Sequence, residues 1–112
     1  MQCDLSFAER KEICLKKFRT LDFQVGDIFT EMYSYYAIIL SREGENITVY
    51  EGHPAGNPSI KMYQSLKEFE KEHSYGNIEG HWVTFLRNDP NHAQSILEHP
   101  EHYGIEKCVQ TN

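Results

Sequence analysis

Six histidines and three cysteines are the residues of this chain best suited to chemistry. Imidazole titrates near neutrality and ligates metals, and a thiolate is both a nucleophile and a metal ligand. His81, His92, His99 and His102 fall in the last third of the sequence together with Cys108. His99 and His102 are three residues apart and Cys108 follows six later, which resembles half of a zinc site. The other half is missing. Structural zinc takes four ligands in paired clusters, whereas Cys3 and Cys14 stand at the opposite end with ten residues between them. No metal and no other cofactor is expected, and the fold should stand without one.

A cysteine nucleophile needs a nearby histidine base and a depressed thiol pKa. Cys14 falls on an apolar helical stripe, where a thiol packs as a small hydrophobe, and Cys3 and Cys108 lie close to the termini. Asp27, Glu31, Glu43, Glu45 and Glu51 gather around extended segments, but their spacing does not sort two of them into an acid and a base. Gly52-His-Pro-Ala-Gly56 lacks both the spacing and the lysine of a phosphate-binding loop. No catalytic residue is assigned.

Tyrosine is the more informative type. Tyr33, Tyr35, Tyr36 and Tyr50 fall on extended segments and Tyr63 follows shortly after. Tyrosine joins a rigid apolar ring to a polar tip, so it serves equally in sheet packing and at recognition surfaces. The recognition reading takes Tyr33, Tyr35 and Tyr50 as anchors, with the loop from His53 through Asn57 to Pro58 at their edge. Strand aromatics can also stack single-stranded bases, but the neighbouring charges are acidic, with Arg42 the chief exception, so nucleic acid is a poor partner.

The elements that must position these residues fit one domain spanning 1–112, since 112 residues leave no length for a second. A 39% hydrophobic and 12% aromatic content is globular composition. Seventeen acidic against 11 basic residues give a net charge of −6, which favours a basic partner over phosphate. No apolar run approaches the roughly 18 residues of a membrane span, and no secretory h-region stands at the N-terminus, so a soluble cytoplasmic protein with reduced thiols is expected.

Ser6 with Glu9 forms a capping box, and Phe7, Cys14, Phe18 and Leu21 then recur at helical intervals, predicting an amphipathic N-terminal helix. From Phe23 to Glu51 the pattern turns extended and yields three strands: one from Gly26-Asp27 through Met32, one from Tyr35 to Ser41, and one from Asn46 to Glu51. Arg42-Glu43-Gly44-Glu45 supplies the hairpin turn between the last two. Tyr36, Ile38 and Leu40 point to one face of the middle strand and Tyr35, Ala37 and Ile39 to the other, so both faces should be covered. A short strand at Ile60–Tyr63, a helix from Leu66 to Ser74 capped by Ser65 and Glu68, a strand from His81 to Arg87 and a helix opened by Asp89-Pro90 follow. Ile105–Val109 is a candidate last edge strand.

The expected fold is α+β: an antiparallel sheet, its finer form a small SH3-like barrel, with an N-terminal helix and two covering helices. Phe7, Phe18, Val25, Ile28, Ile38, Leu40, Ile47, Val49, Leu66, Phe69, Trp82, Val83, Phe85, Ile96 and Leu97 are its expected core. No motif identifies a family, and Val25-Gly26-Asp27-Ile28 opening a strand is too common among small β-barrels to carry a name. The functional reading is a small acidic, non-enzymatic interaction protein that binds and inhibits or regulates another macromolecule, foremost a protein with a basic surface. The competing reading is a small-ligand or catalytic domain that gathers the His53 loop, Tyr33, Tyr35, Tyr50 and His81 around a pocket.

Overall fold

The computed structural model describes residues 5–31, 35–52, 58–74 and 83–103. Helix α1 (Phe7–Thr20) starts at the predicted capping box: the Ser6 N–H donates to Glu9 Oε1 at 2.8 Å and the Glu9 N–H to Ser6 Oγ at 3.1 Å. It stops without a glycine. Leu21 takes the left-handed conformation at φ 56° and its N–H closes on the Lys17 carbonyl. Cys14 and Phe18 form the buried stripe, with Leu5, Ile13 and Leu21 packed beside them.

Phe7 is 60% exposed, against the sequence expectation. Lys11 Nζ and Cys14 Sγ both reach the carbonyl of Val83, at 2.5 and 3.6 Å. Val83 is the first residue of strand β5 (Val83–Asn88), so the helical turn carrying Phe7 lies beyond the start of that strand. The residue has the right direction around the helix but lies past the first described residue of β5.

Strands β1 (Asp27–Glu31), β2 (Tyr35–Glu43), β3 (Asn46–Gly52), β4 (Ser59–Tyr63) and β5 form one five-stranded sheet in the order β4-β3-β2-β1-β5. Every neighbouring pair is antiparallel. Glu43 pairs with Asn46 across a two-residue turn in which Gly44 takes φ +64°, a conformation open to glycine at little cost. The register slips once between β2 and β3, leaving Leu40 as the extra residue, and once between β1 and β5, leaving Leu86. Both bulged leucines join the same smaller core.

Two cores sandwich the sheet. On one face α1 and helix α2 (Leu66–Ser74) cover Phe29, Ala37, Ile39, Ile47, Val49, Val83 and Phe85, joined by Phe23 from the loop after α1. On the other, helix α3 (Pro90–Glu98) and the 3-10 turn Pro100–Tyr103 cover Ile28, Ile38 and Leu40 through Ala93 and Ile96. The α+β class and the covering of both faces of β2 are as the sequence implies. The SH3-like barrel is not: β4 and β5 remain edges among the described residues, so the sheet is open. Apolar residues on both faces are satisfied by two helical layers, which removes the need to curl one face into a barrel interior.

Two other expectations shift, in the membership of the core and at a helix cap. Val25 is 39% and Leu97 37% exposed, and Phe23, Phe29, Ala37, Ile39, Tyr63 and Ala93 are buried in their place. Trp82, Met32 and Ile105–Val109 lie outside the described residues. The Ser65 cap also differs in detail, since Ser65 Oγ accepts from the Glu68 N–H at 3.0 Å but Glu68 reaches back to the Gln64 N–H, at 3.1 Å. At α3 the expected cap holds: Asp89 accepts from the His92 N–H at 3.2 Å and Pro90 takes the first helical position.

Candidate functional site

Glu51, Tyr63 and His73 bring their polar atoms together where α2 lies on β3 and β4. Alternation along β3 places Ile47, Val49 and Glu51 on the α2 face, and Tyr63 pairs opposite Ile47 at the far end of β4. On α2, Leu66, Phe69 and His73 recur at intervals of three and four, so His73 continues the inward stripe of that helix. Its Nε2 lies 2.9 Å from Glu51 Oε2 and 3.2 Å from the Tyr63 hydroxyl, and that hydroxyl donates to the same carboxylate oxygen. The Phe69 ring packs on the imidazole with centroids 4.4 Å apart.

Burial by itself pushes the Glu51 carboxyl upward. Hydrogen bonds from His73 and Tyr63, together with the charges of His73 and Lys61, outweigh it and hold the carboxyl below its ordinary value. A carboxylate orienting an imidazole is half of a catalytic arrangement, but the side chains are 4% and 10% exposed for His73 and Glu51. The cluster is a polar clamp between helix and sheet. Because the folded state holds Glu51 ionised to lower pH than the unfolded chain does, its contribution to stability is complete above the ordinary carboxylate pKa of 4.5 and is lost as pH falls below that value. Glu51→Gln should cost about 1–3 kcal/mol at neutral pH. It should also flatten the acid limb of a stability-against-pH curve; an acid limb identical to the parent's would assign that limb to other carboxylates.

His73 carried a usable signal in the sequence, since it stands four residues after Phe69 and seven after Leu66. Reading α2 only as a charged covering helix passes over it.

Of the residues expected to bind a partner, Tyr33, His53 and Asn57 lie outside the described residues. The backbone of Tyr35 pairs with Glu31 at one end of β2. Tyr50 faces the α3 side, half-buried, and its hydroxyl donates to the Tyr103 carbonyl at 3.3 Å. Burial, and after it the Tyr103 phenol, raises the Tyr50 pKa, so it remains a donor at neutral pH. Tyr50 thus has a packing role as well as any surface one. Glu31, Tyr35, Gly52, Ser59 and Val83 lie at one common end of the sheet, as the pairings Glu31↔Tyr35, Glu31↔Val83, Tyr36↔Gly52 and Glu51↔Ser59 require.

Asp27, read as one of several acidic residues near the strands, is only 1% exposed. It pairs with Lys17 at 2.9 Å and accepts from the Gln24 N–H and the Asn88 amide, each at 2.9 Å. An open groove of about 1030 Å³ runs past this joint, lined in part by Lys17, Gln24, Arg42 and Asn88. Its polar groups are committed to the fold: Arg42, for instance, donates to the Phe23 carbonyl at 2.7 Å. His81 and Cys108 lie outside the described residues, and the Cys14 thiol is buried against Val83. Among the described residues no helix is long and apolar enough to cross a membrane.

No protein-family model, curated protein or solved structure significantly matches the chain. The fold therefore defines its class by architecture alone, an open antiparallel sheet between two helical layers.

Proposed function

We propose that the protein acts by binding another macromolecule, a protein with a basic surface, and thereby inhibits or regulates it. The observation that carries this reading is Tyr36. It sits on the central strand β2, where Ala37 to Leu40 are each at most 3% exposed, yet it is 42% exposed itself. Its cross-strand partner is Gly52, and a Cβ there would meet the Tyr50 ring at 3.1 Å. Tyr36 and Tyr50 thus flank a position with no side chain, at the end of the sheet where the backbone of Tyr35 also lies. An aromatic ring standing on a rigid strand is an anchor that costs little entropy to order. A net charge of −6 favours a basic partner. The polar groups that line the groove beside Asp27 are already engaged, which weakens the small-ligand alternative.

The test is affinity purification from the native source, mass spectrometry of the co-eluting partner, and titration of Tyr35→Ala and Tyr36→Ala at two salt concentrations. Each variant should bind about tenfold or more weakly, and association should slow as salt rises. Folded variants that bind like the parent, with no salt effect, would remove both the face and the electrostatic argument. Recovery of no macromolecule would move the small-ligand reading ahead.

A further inference from the structure

We infer that His99, Glu101 and His102 form a surface site for one divalent transition-metal ion of the zinc, nickel or copper type. The site is built by the turn that ends α3. His99 is the C-cap, its N–H donating to the Ser95 carbonyl at 2.9 Å, and the His102 N–H closes on the His99 carbonyl at 2.9 Å to make a 3-10 turn. In that geometry residues three apart eclipse one another. The two imidazoles accordingly stack, with centroids 5.0 Å apart and planes 13° from parallel. Glu101 stands between them, its Oε2 3.6 Å from His102 Nε2 and 4.0 Å from His99 Nδ1. One ligand atom from each residue lies within 4.8 Å of the others.

The backbone beneath is fixed. The Tyr103 hydroxyl bonds Ser95 Oγ at 2.8 Å, its carbonyl accepts from Tyr50, and its ring packs into the smaller core. Only the exposed side chains have to move. Zinc bonds of about 2.0–2.1 Å place neighbouring ligand atoms roughly 3–3.4 Å apart and lie in the plane of each imidazole, so the two exposed rings turn out of their parallel stack to aim at one ion. Two imidazoles and one carboxylate suit borderline divalent ions and leave the remaining positions to water or to a group from another molecule. All three side chains are more than half exposed, at 52%, 62% and 66% for His99, Glu101 and His102. The fold therefore does not require the metal in order to form. It also replaces the sequence-level grouping of His99 and His102 with Cys108, because the third ligand is the glutamate between the histidines.

The experiment is calorimetric titration of ZnCl₂ into the full chain, stripped with a chelator and desalted, beside His99→Ala, His102→Ala, their double variant and Cys108→Ala. The parent and Cys108→Ala should bind one Zn²⁺. Loss of mere outer-shell partners already weakens metal sites about 10–100-fold, so each single histidine variant should weaken binding at least about tenfold. Zn²⁺ should raise the parent's Tm and leave that of the double variant unmoved. Absence of saturable binding in the parent overturns the proposal, as does binding that survives the double variant or depends on Cys108.

Discussion

Phe18→Ala should destabilise the protein by roughly 3–5 kcal/mol, while Phe7→Ala, from the same sequence stripe, should change stability by no more than about 0.5 kcal/mol. Phe18 is 3% exposed and lies within ring distance of three other phenylalanines. Phe23 and Phe29 meet it edge-on at 5.1 and 5.4 Å, and Phe69 at 6.1 Å brings in α2. Truncation opens a cavity where α1, α2 and the sheet meet, and neighbours that also pack on each other cannot collapse into it. Phe7 has Arg10 over its ring at 5.8 Å and is mostly exposed. Against a total stability of about 5–15 kcal/mol the first loss is severe and the second barely visible. Urea denaturation of both variants decides it, and equal losses would mean that α1 faces the sheet differently.

This pair also shows what a sequence can carry. Periodicity gives the direction of a side chain around its helix, and Phe7, Cys14 and Phe18 do share one. It does not say where the supporting sheet ends, which follows from the contacts of Lys11 and Cys14 with Val83. Strand and helix placements, the hairpin turn and the caps at Ser6 and Asp89 were legible because each rests on local chemistry. Closure of the sheet was not local. Ile38 and Ile39 are apolar on opposite faces whether the strand lines a barrel or lies between two layers, and only the placement of α3 decides between them. The polar clusters were hidden for the same reason. Glu51 and His73 are 22 residues apart and Asp27 and Asn88 are 61 apart, so each looks like an ordinary surface residue until topology joins it to its partner.

Asp27→Ala should cost about 3–5 kcal/mol, the usual consequence of removing one member of a buried ion pair. Asp27 opens β1 at the point where α1, the loop after it and β5 converge. Its carboxylate satisfies Lys17, whose side chain is only 15% exposed, as well as the Gln24 N–H and the Asn88 amide. The backbone around it is tied as tightly: the Gly26 N–H donates to the Ile39 carbonyl and the Gly26 carbonyl accepts from the Asp89 N–H, both at 2.8 Å. Gly26 holds φ +94°, and a Cβ there would come within 2.6 Å of the Pro90 nitrogen, so the start of β1 and the start of α3 touch through bare backbone. Removing the carboxylate takes a shared acceptor from Lys17, the Gln24 N–H and the Asn88 amide, and leaves Lys17 with the Asp22 carbonyl at 3.2 Å and Asn88 with the Val25 carbonyl at 3.1 Å in place of a charged partner. Lys17→Met combined with Asp27→Ala should recover part of the loss, with a coupling of about 0.5–3 kcal/mol, because the stranded charge is gone. A single Asp27→Ala variant within about 1 kcal/mol of the parent in urea denaturation would show that the joint is held by its backbone contacts and that the carboxylate is dispensable.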